Sequence, residues 1–268
     1  MRMLIPVAAA ALGLAPLSVS AQAPKPQAPA KPQQQQAQKP PAPPPVAPAR
    51  PYKPVAVKLP VPLGDESFDA FRKEFGAIVQ RKDRAALARI VASNFFWEVE
   101  DGDKADKKKS GIDNLSAAVN LAAKDGSGWE ALASFAFEPT AQPIPDRAGV
   151  ICSPADPVFN DAELEEVAKA TGTDPGEWGF PLSDGVEVHA DAKPKSPVTE
   201  KLGMYFVRVL PDMIPPASAS DIPMLKIVLP SGKTGFVSAD TLAPLGADQM
   251  CFIKEGTAWK IAGFIGGD

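Results

Sequence analysis

Hydrophobic positions fall into three regimes along the chain. They are nearly continuous over residues 3–17, isolated among prolines over 22–63, and recur with helix and strand periods from Gly64 onward. In the last regime Phe68, Phe71, Phe75, Ile78 and Val79 repeat at helical spacing behind Ser67, a residue type that caps helices. A second helix is expected from Asp83, burying Leu87, Ile90 and Val91. Residues 94–100 have the aromatic and β-branched content of a strand, and 101–109 form a charged loop. Ser110 with Asp113 three residues on resembles a capping box for a helix carrying Ile112, Leu115, Val119 and Ala122. Gly126 to Gly128 break that helix, and Trp129, Leu132 and Phe135 predict one more short one.

From Ala141 the pattern changes to turns and short strands. Pro139, Pro143 and Pro145 mark a linker, and Asn160 with Asp161 caps a short helix through Leu164 and Val167. Strands are expected at 185–190, 205–209, 225–229 and 235–238, with a hairpin turn at 230–233. A final hairpin pairs 250–254 with 258–264. Short strands at this spacing predict a small barrel or sandwich. The expected fold class is therefore α+β, a small mainly helical domain over 64–140 followed by a strand-rich domain over 141–268, a small barrel or sandwich with a short leading helix.

Residues 1–21 carry one charge, Arg2, then the apolar run, then small residues at Val19 and Ala21 suited to signal-peptidase cleavage. Interrupted by Pro6, Gly13 and Pro16, the run is shorter than the ~20 residues a spanning helix needs, so a cleaved signal is expected rather than a membrane anchor. No later segment is apolar enough to cross a membrane. Residues 22–63 hold 14 prolines, four consecutive glutamines and six basic residues with no acid. They read as a disordered linker, part polyproline II, with an extended reach on the order of 100 Å. A docking ligand around Pro44 and Pro45 is the alternative to a solvated spacer. Seven of the 28 basic residues precede Gly64 while all 32 acids follow it, so 64–268 carries a formal charge of −11. An acidic, exported body excludes nucleic acid as the expected partner.

Within the strand-rich part, Gly185-Val186-Glu187-Val188-His189, then Val198, Lys201-Leu202-Gly203 and the run Leu229-Pro230-Ser231-Gly232-Lys233-Thr234-Gly235-Phe236-Val237 resemble a bacterial SH3-like domain. Phe236 stands where that family usually has Tyr, and Met224 and Leu225 stand where it often has Trp. The whole layout is similar to exported proteins of Gram-negative bacteria. The resemblance implies an SH3-like β-barrel that binds rather than catalyses, holding peptidoglycan or an envelope protein in the periplasm or outside the cell. Trp178, Tyr205, Phe206 and Phe236 are the aromatic candidates for ligand contact that it implies, and burial in the core is the competing role for each.

Catalytic chemistry has few carriers. His189 is the sole histidine and lies in an expected strand, without a cysteine placed for a thiol–imidazole pair. Cys152 and Cys251 are an even pair in a chain expected to be exported, which favours a disulfide; two buried thiols are the alternative. Glu98 and Glu100 alternate along one strand, about 7 Å apart on one face, and paired acids of this kind can cleave glycosides. A cell-wall glycan hydrolase using them is the alternative function, against a solvent-facing strand edge. Asp101, Asp103 and Asp106 lack the glycine and glutamate of a calcium loop, and no Gly-rich phosphate cradle is present. No metal and no cofactor are expected.

Overall fold

The computed structural model describes residues 47–193, 196–214 and 222–266. The signal segment and residues 22–46 of the linker lie outside the described residues. In chain order the elements are α1 (Glu66–Gln80), α2 (Arg84–Ile90), β1 (Val91–Val99), β2 (Gly102–Asp103), α3 (Gly111–Ala118), α4 (Ser127–Phe137), β3 (Gln142–Pro143), β4 (Val150–Ser153) and α5 (Asp161–Thr171). There follow β5 (Trp178–Pro181), β6 (Val186–His189), β7 (Val198–Leu202), β8 (Val207–Ile214), β9 (Met224–Val228), β10 (Thr234–Ser238), β11 (Leu242–Pro244), β12 (Gln249–Glu255) and β13 (Ala258–Ile265).

The strands make two sheets, a six-stranded one in the order β2-β1-β13-β12-β4-β3 and a seven-stranded one in the order β11-β5-β8-β9-β10-β6-β7. Neither closes into a barrel. The expected SH3-like barrel is overturned, and so is a helical domain that stands by itself. The short strands exist where the alternation placed them, and Thr234 pairs with Val228 across the expected turn. β7 and β11, however, are the two edges of an open sheet rather than partners. Barrel closure depends on pairing between the first and last strands, which no local pattern encodes.

The N-terminal helices are one layer of a larger unit. Phe68, Phe71, Phe75 and Leu87 share a core with Met250, Phe252, Ile261 and Phe264 of the C-terminal hairpin. β1 runs parallel to β13, with Phe96 opposite Gly263 and Trp97 opposite Phe264. A Cβ on Gly263 would fall 2.3 Å from the Phe96 ring, so only glycine lets this ring lie across β13. The seven-stranded sheet is thus an insertion between β4 and β12. On β12, Met250 and Phe252 face the helices while Cys251 and Ile253 face the other side, the period-2 pattern of a sheet covered on both faces.

Capping explains most helix starts. Asp83, Ser110 and Asn160 each accept a hydrogen bond from a backbone N–H in the first turn, as their residue types lead one to expect. For α1 the cap is Asp65, not Ser67: its carboxylate accepts from the N–H groups of Ser67 and Phe68. Gly128 lies inside α4 rather than ending a helix. Pro143, expected in a linker, is in β3.

Cys152 and Cys251 face each other across β4 and β12 and form a disulfide, both fully buried. The bond closes a loop of 99 residues that contains the whole seven-stranded sheet. Among the described residues no helix is long and apolar enough to cross a membrane. Replacing both cysteines by alanine is expected to cost about 3–4 kcal/mol and to lower Tm by on the order of 10 °C. Thermal unfolding of the double variant, followed by circular dichroism, checks this.

Candidate functional site

Residues 47–63 are not a solvated spacer. Val55 and Val57 are buried in a cluster with Leu164 and Val167 of α5 and with Trp178, Phe180 and Phe206. The segment is a strap held at successive points. Tyr52 donates its backbone N–H to the Pro230 carbonyl, Phe206 donates to Val55, Val57 donates to Met204, and Lys58 and Val158 exchange both bonds. Further on, Pro62 bridges to Thr140 and so reaches the start of β3. Prolines at 51, 54, 60 and 62 lack an N–H, which is why the strap makes isolated bridges and not a continuous strand. Gly232 has φ +81°, and a Cβ there would lie 2.8 Å from Pro51, so the β9–β10 turn and the strap fit each other only through glycine.

Two polar anchors fix the strap's first half. The Tyr52 hydroxyl donates to the carbonyl of Val228 at 2.9 Å, and its ring meets Trp178 edge-on at 4.9 Å. Arg208, 2% exposed, donates from Nε and Nη2 to one carboxylate oxygen of Glu177, and from Nη1 to the carbonyl of Ala47 at 2.8 Å. A buried guanidinium is tolerated because its donors are taken up in this way. Burial pushes the Tyr52 phenol well above its ordinary value, with Tyr205 and Glu200 adding to the effect.

These contacts decide the fate of the aromatic candidates. Trp178 and Phe206 are core residues, packed against Tyr52, Phe159 and Phe180. Tyr205 is half-buried, packs against the second sheet's core, and forms a bridge with Ala56 of the strap. Phe236 lies half-buried on β10 opposite His189 and Lys226. The four do not gather into one ligand surface. Three of them meet the chain's own strap or its core. His189 bonds through Nδ1 with the Ser196 carbonyl at 2.9 Å, a strand contact.

The carboxylate pair is likewise dispersed. Glu98 is in β1 and bonded to Arg147 at 3.1 Å, while Arg147 sits 3.8 Å over the Phe96 ring. Glu100 falls past the end of β1, in the exposed turn that precedes β2. Among the described residues no group of three or more His, Cys, Asp or Glu side chains is placed to hold a metal ion.

A concave site does exist, at the seam between the two sheets. It is a cleft of about 450 Å³. The strap supplies Leu59 and Pro60 as one wall. The turn from α4 into β3 supplies Glu138, Pro139 and Thr140, and the turn after β4 supplies Pro154 through Pro157. The seven-stranded sheet closes it with Phe180, Leu182 and the edge strand β11. Leu182 is 48% exposed, and Val61 and Val158, next in sequence to lining prolines, are 73% and 65% exposed. Solvent-exposed aliphatic groups around an apolar concavity mark a binding surface more than a structural one. Two carboxylates border it. Asp156 accepts from the side-chain amides of Gln142 and Gln249, and Glu138 accepts from the backbone and hydroxyl of Thr140.

This site was not legible as a set of residues, because its walls come from five separated stretches of chain. One signal was available: Val55-Ala56-Val57-Lys58-Leu59 alternates large apolar residues with a small and a charged one, like a strand, inside a proline-rich stretch. No protein-family model matches the chain, and comparison with curated proteins and with solved structures returns no match.

The Tyr52 anchor has a pH signature. The folded phenol stays protonated where the unfolded one ionises, near its ordinary value of 10.0, so the stabilisation is complete below that pH and is lost as pH rises beyond it. Chemical denaturation between about pH 9 and pH 11 is expected to show a steeper loss of stability for the native chain than for Tyr52→Phe.

Proposed function

We propose that the chain is an exported, non-enzymatic binding protein of the cell envelope and that the cleft between its sheets is the binding site. The cleft carries the reading: it is apolar, concave, open to solvent and has the exposed Leu182 in its wall. Export is supported by the signal-like segment 1–21 and by the buried disulfide, a bond that persists in oxidising compartments. Periplasmic or secreted localisation follows from the same two features. Of the two partners expected, peptidoglycan and an envelope protein, the cleft favours the protein. Sugars are held by convergent donors and acceptors, whereas these walls hold five prolines and several aliphatic groups.

A hydrolase built on Glu98 and Glu100 draws no support from their positions, one paired with Arg147 and the other in a separate turn. The test is association with isolated cell envelopes by co-sedimentation, comparing residues 22–268 with the same chain carrying Leu182→Glu. The native chain is expected to sediment with the envelope fraction at both low and high salt. The variant, with a charge placed at the cleft mouth, is expected to remain in the supernatant. Equal sedimentation of the two, or none by either, contradicts the proposal.

A further inference from the structure

The cleft's hydrogen-bonding character is one-sided, and this defines what it can hold. Five of its fifteen lining residues are prolines, which offer no N–H. Several backbone N–H groups of its walls are already engaged: Glu138 donates to Ser134, Thr140 to the Glu138 carboxylate, Ala155 to the Thr140 hydroxyl oxygen, and Leu182 to Thr241. The Thr140 hydroxyl is also spent, donating to Glu138 at 2.6 Å. Among the described residues no lysine, arginine or histidine lines the cleft. What its side chains present is therefore an apolar surface with two carboxylates, those of Glu138 and Asp156. Thr140 occupies only Oε1 of Glu138, and Asp156 receives neutral amide donors alone, from Gln142 at 2.7 Å and Gln249 at 3.4 Å. Neither carboxylate has a cationic partner among these bonds.

We infer that the cleft takes an extended peptide segment of a partner protein in which an apolar side chain is followed closely by a lysine or arginine. This rests on the cleft being the binding site and adds the chemistry of its occupant. The apolar side chain lies against Phe180 and Leu182, where it displaces water from aliphatic and aromatic surface. The cation's N–H groups meet Glu138 and Asp156, giving charge-assisted bonds at a border partly shielded from solvent. An anionic ligand meets two carboxylates with no cationic side chain among the described lining residues, so selection operates against it as well as for the cation. The formal charge of −11 on residues 64–268 draws the same class of partner toward the body before contact.

Isothermal titration calorimetry of residues 22–268 with three blocked octapeptides tests this. The peptides share a Leu/Pro/Ala frame and differ at one central position, which is Lys, Gln or Glu. The lysine peptide is expected to bind about tenfold tighter than the glutamine peptide, the scale of one charge-assisted bond, and the glutamate peptide weaker than either. Glu138→Gln with Asp156→Asn is expected to remove the preference for lysine, so that the lysine-to-glutamine affinity ratio falls to about one. Raising salt to about 0.5 M is expected to narrow the preference in the native chain. A glutamate peptide bound as well as the lysine one, a preference that survives the double variant, or no binding by any peptide overturns the inference. Envelope association that is lost with Leu182→Glu yet indifferent to the double variant also overturns it, while leaving the cleft as the binding site.

Discussion

The seating of the strap is the interaction on which the rest of the arrangement depends. Val55 and Val57 fill a core made by α5, β5 and the residues just before β8, and Pro62 reaches the start of β3 in the other sheet. A single run of about a dozen residues therefore touches the insertion and the unit into which it is inserted. Burying two valines contributes roughly 1.5–3 kcal/mol each, and the Tyr52 hydrogen bond adds about 1 kcal/mol. Set against a typical total of 5–15 kcal/mol, that share is large. The same residues shape function, because Leu59 and Pro60 form one wall of the cleft.

The insertion explains why the two halves of the chain are not separate. β12 and β13 return after the seven-stranded sheet to complete the core begun by α1 and α2, and the disulfide fastens β12 to β4 at the point of departure. A 99-residue excursion has a high entropic cost to close, and a covalent bond at its base offsets part of it by restricting the unfolded chain. The seam left where the two sheets approach is where the turns of both converge. Clefts at such junctions are common ligand sites because neither side can fill them from its own core.

Local structure was legible in the sequence and long-range pairing was not. The spacing of Phe68, Phe71 and Phe75 marks α1, and Asp83, Ser110 and Asn160 mark three helix starts through a side-chain bond made within one turn. The turn through Gly232 is likewise a local property. By contrast, the parallel pairing of β1 with β13 joins residues some 170 positions apart, and nothing near Phe96 announces Gly263. The strand set that resembles an SH3-like domain forms as strands, but whether a sheet closes is decided by its two edges. The strap was hidden by composition: prolines forbid a regular ladder, yet the alternation at 55–59 is enough to bury one face. Trp178 and Phe206, two of the four aromatic candidates, pack with Tyr52, Val55 and Val57, the core role that competes with ligand contact.

The most direct measurement is the equilibrium unfolding in denaturant of three chains, 22–268, 47–268 and 64–268. The first two are expected to share one midpoint and one slope, since both keep every strap contact made among the described residues, from the bond between Ala47 and Arg208 onward. The third, lacking the strap, is expected to lose about 5 kcal/mol or more and to leave the buried Arg208–Glu177 pair and Trp178 open to solvent. If 64–268 unfolds at the same midpoint as the longer chains, the strap is a passive covering and this account of the fold and its cleft is wrong.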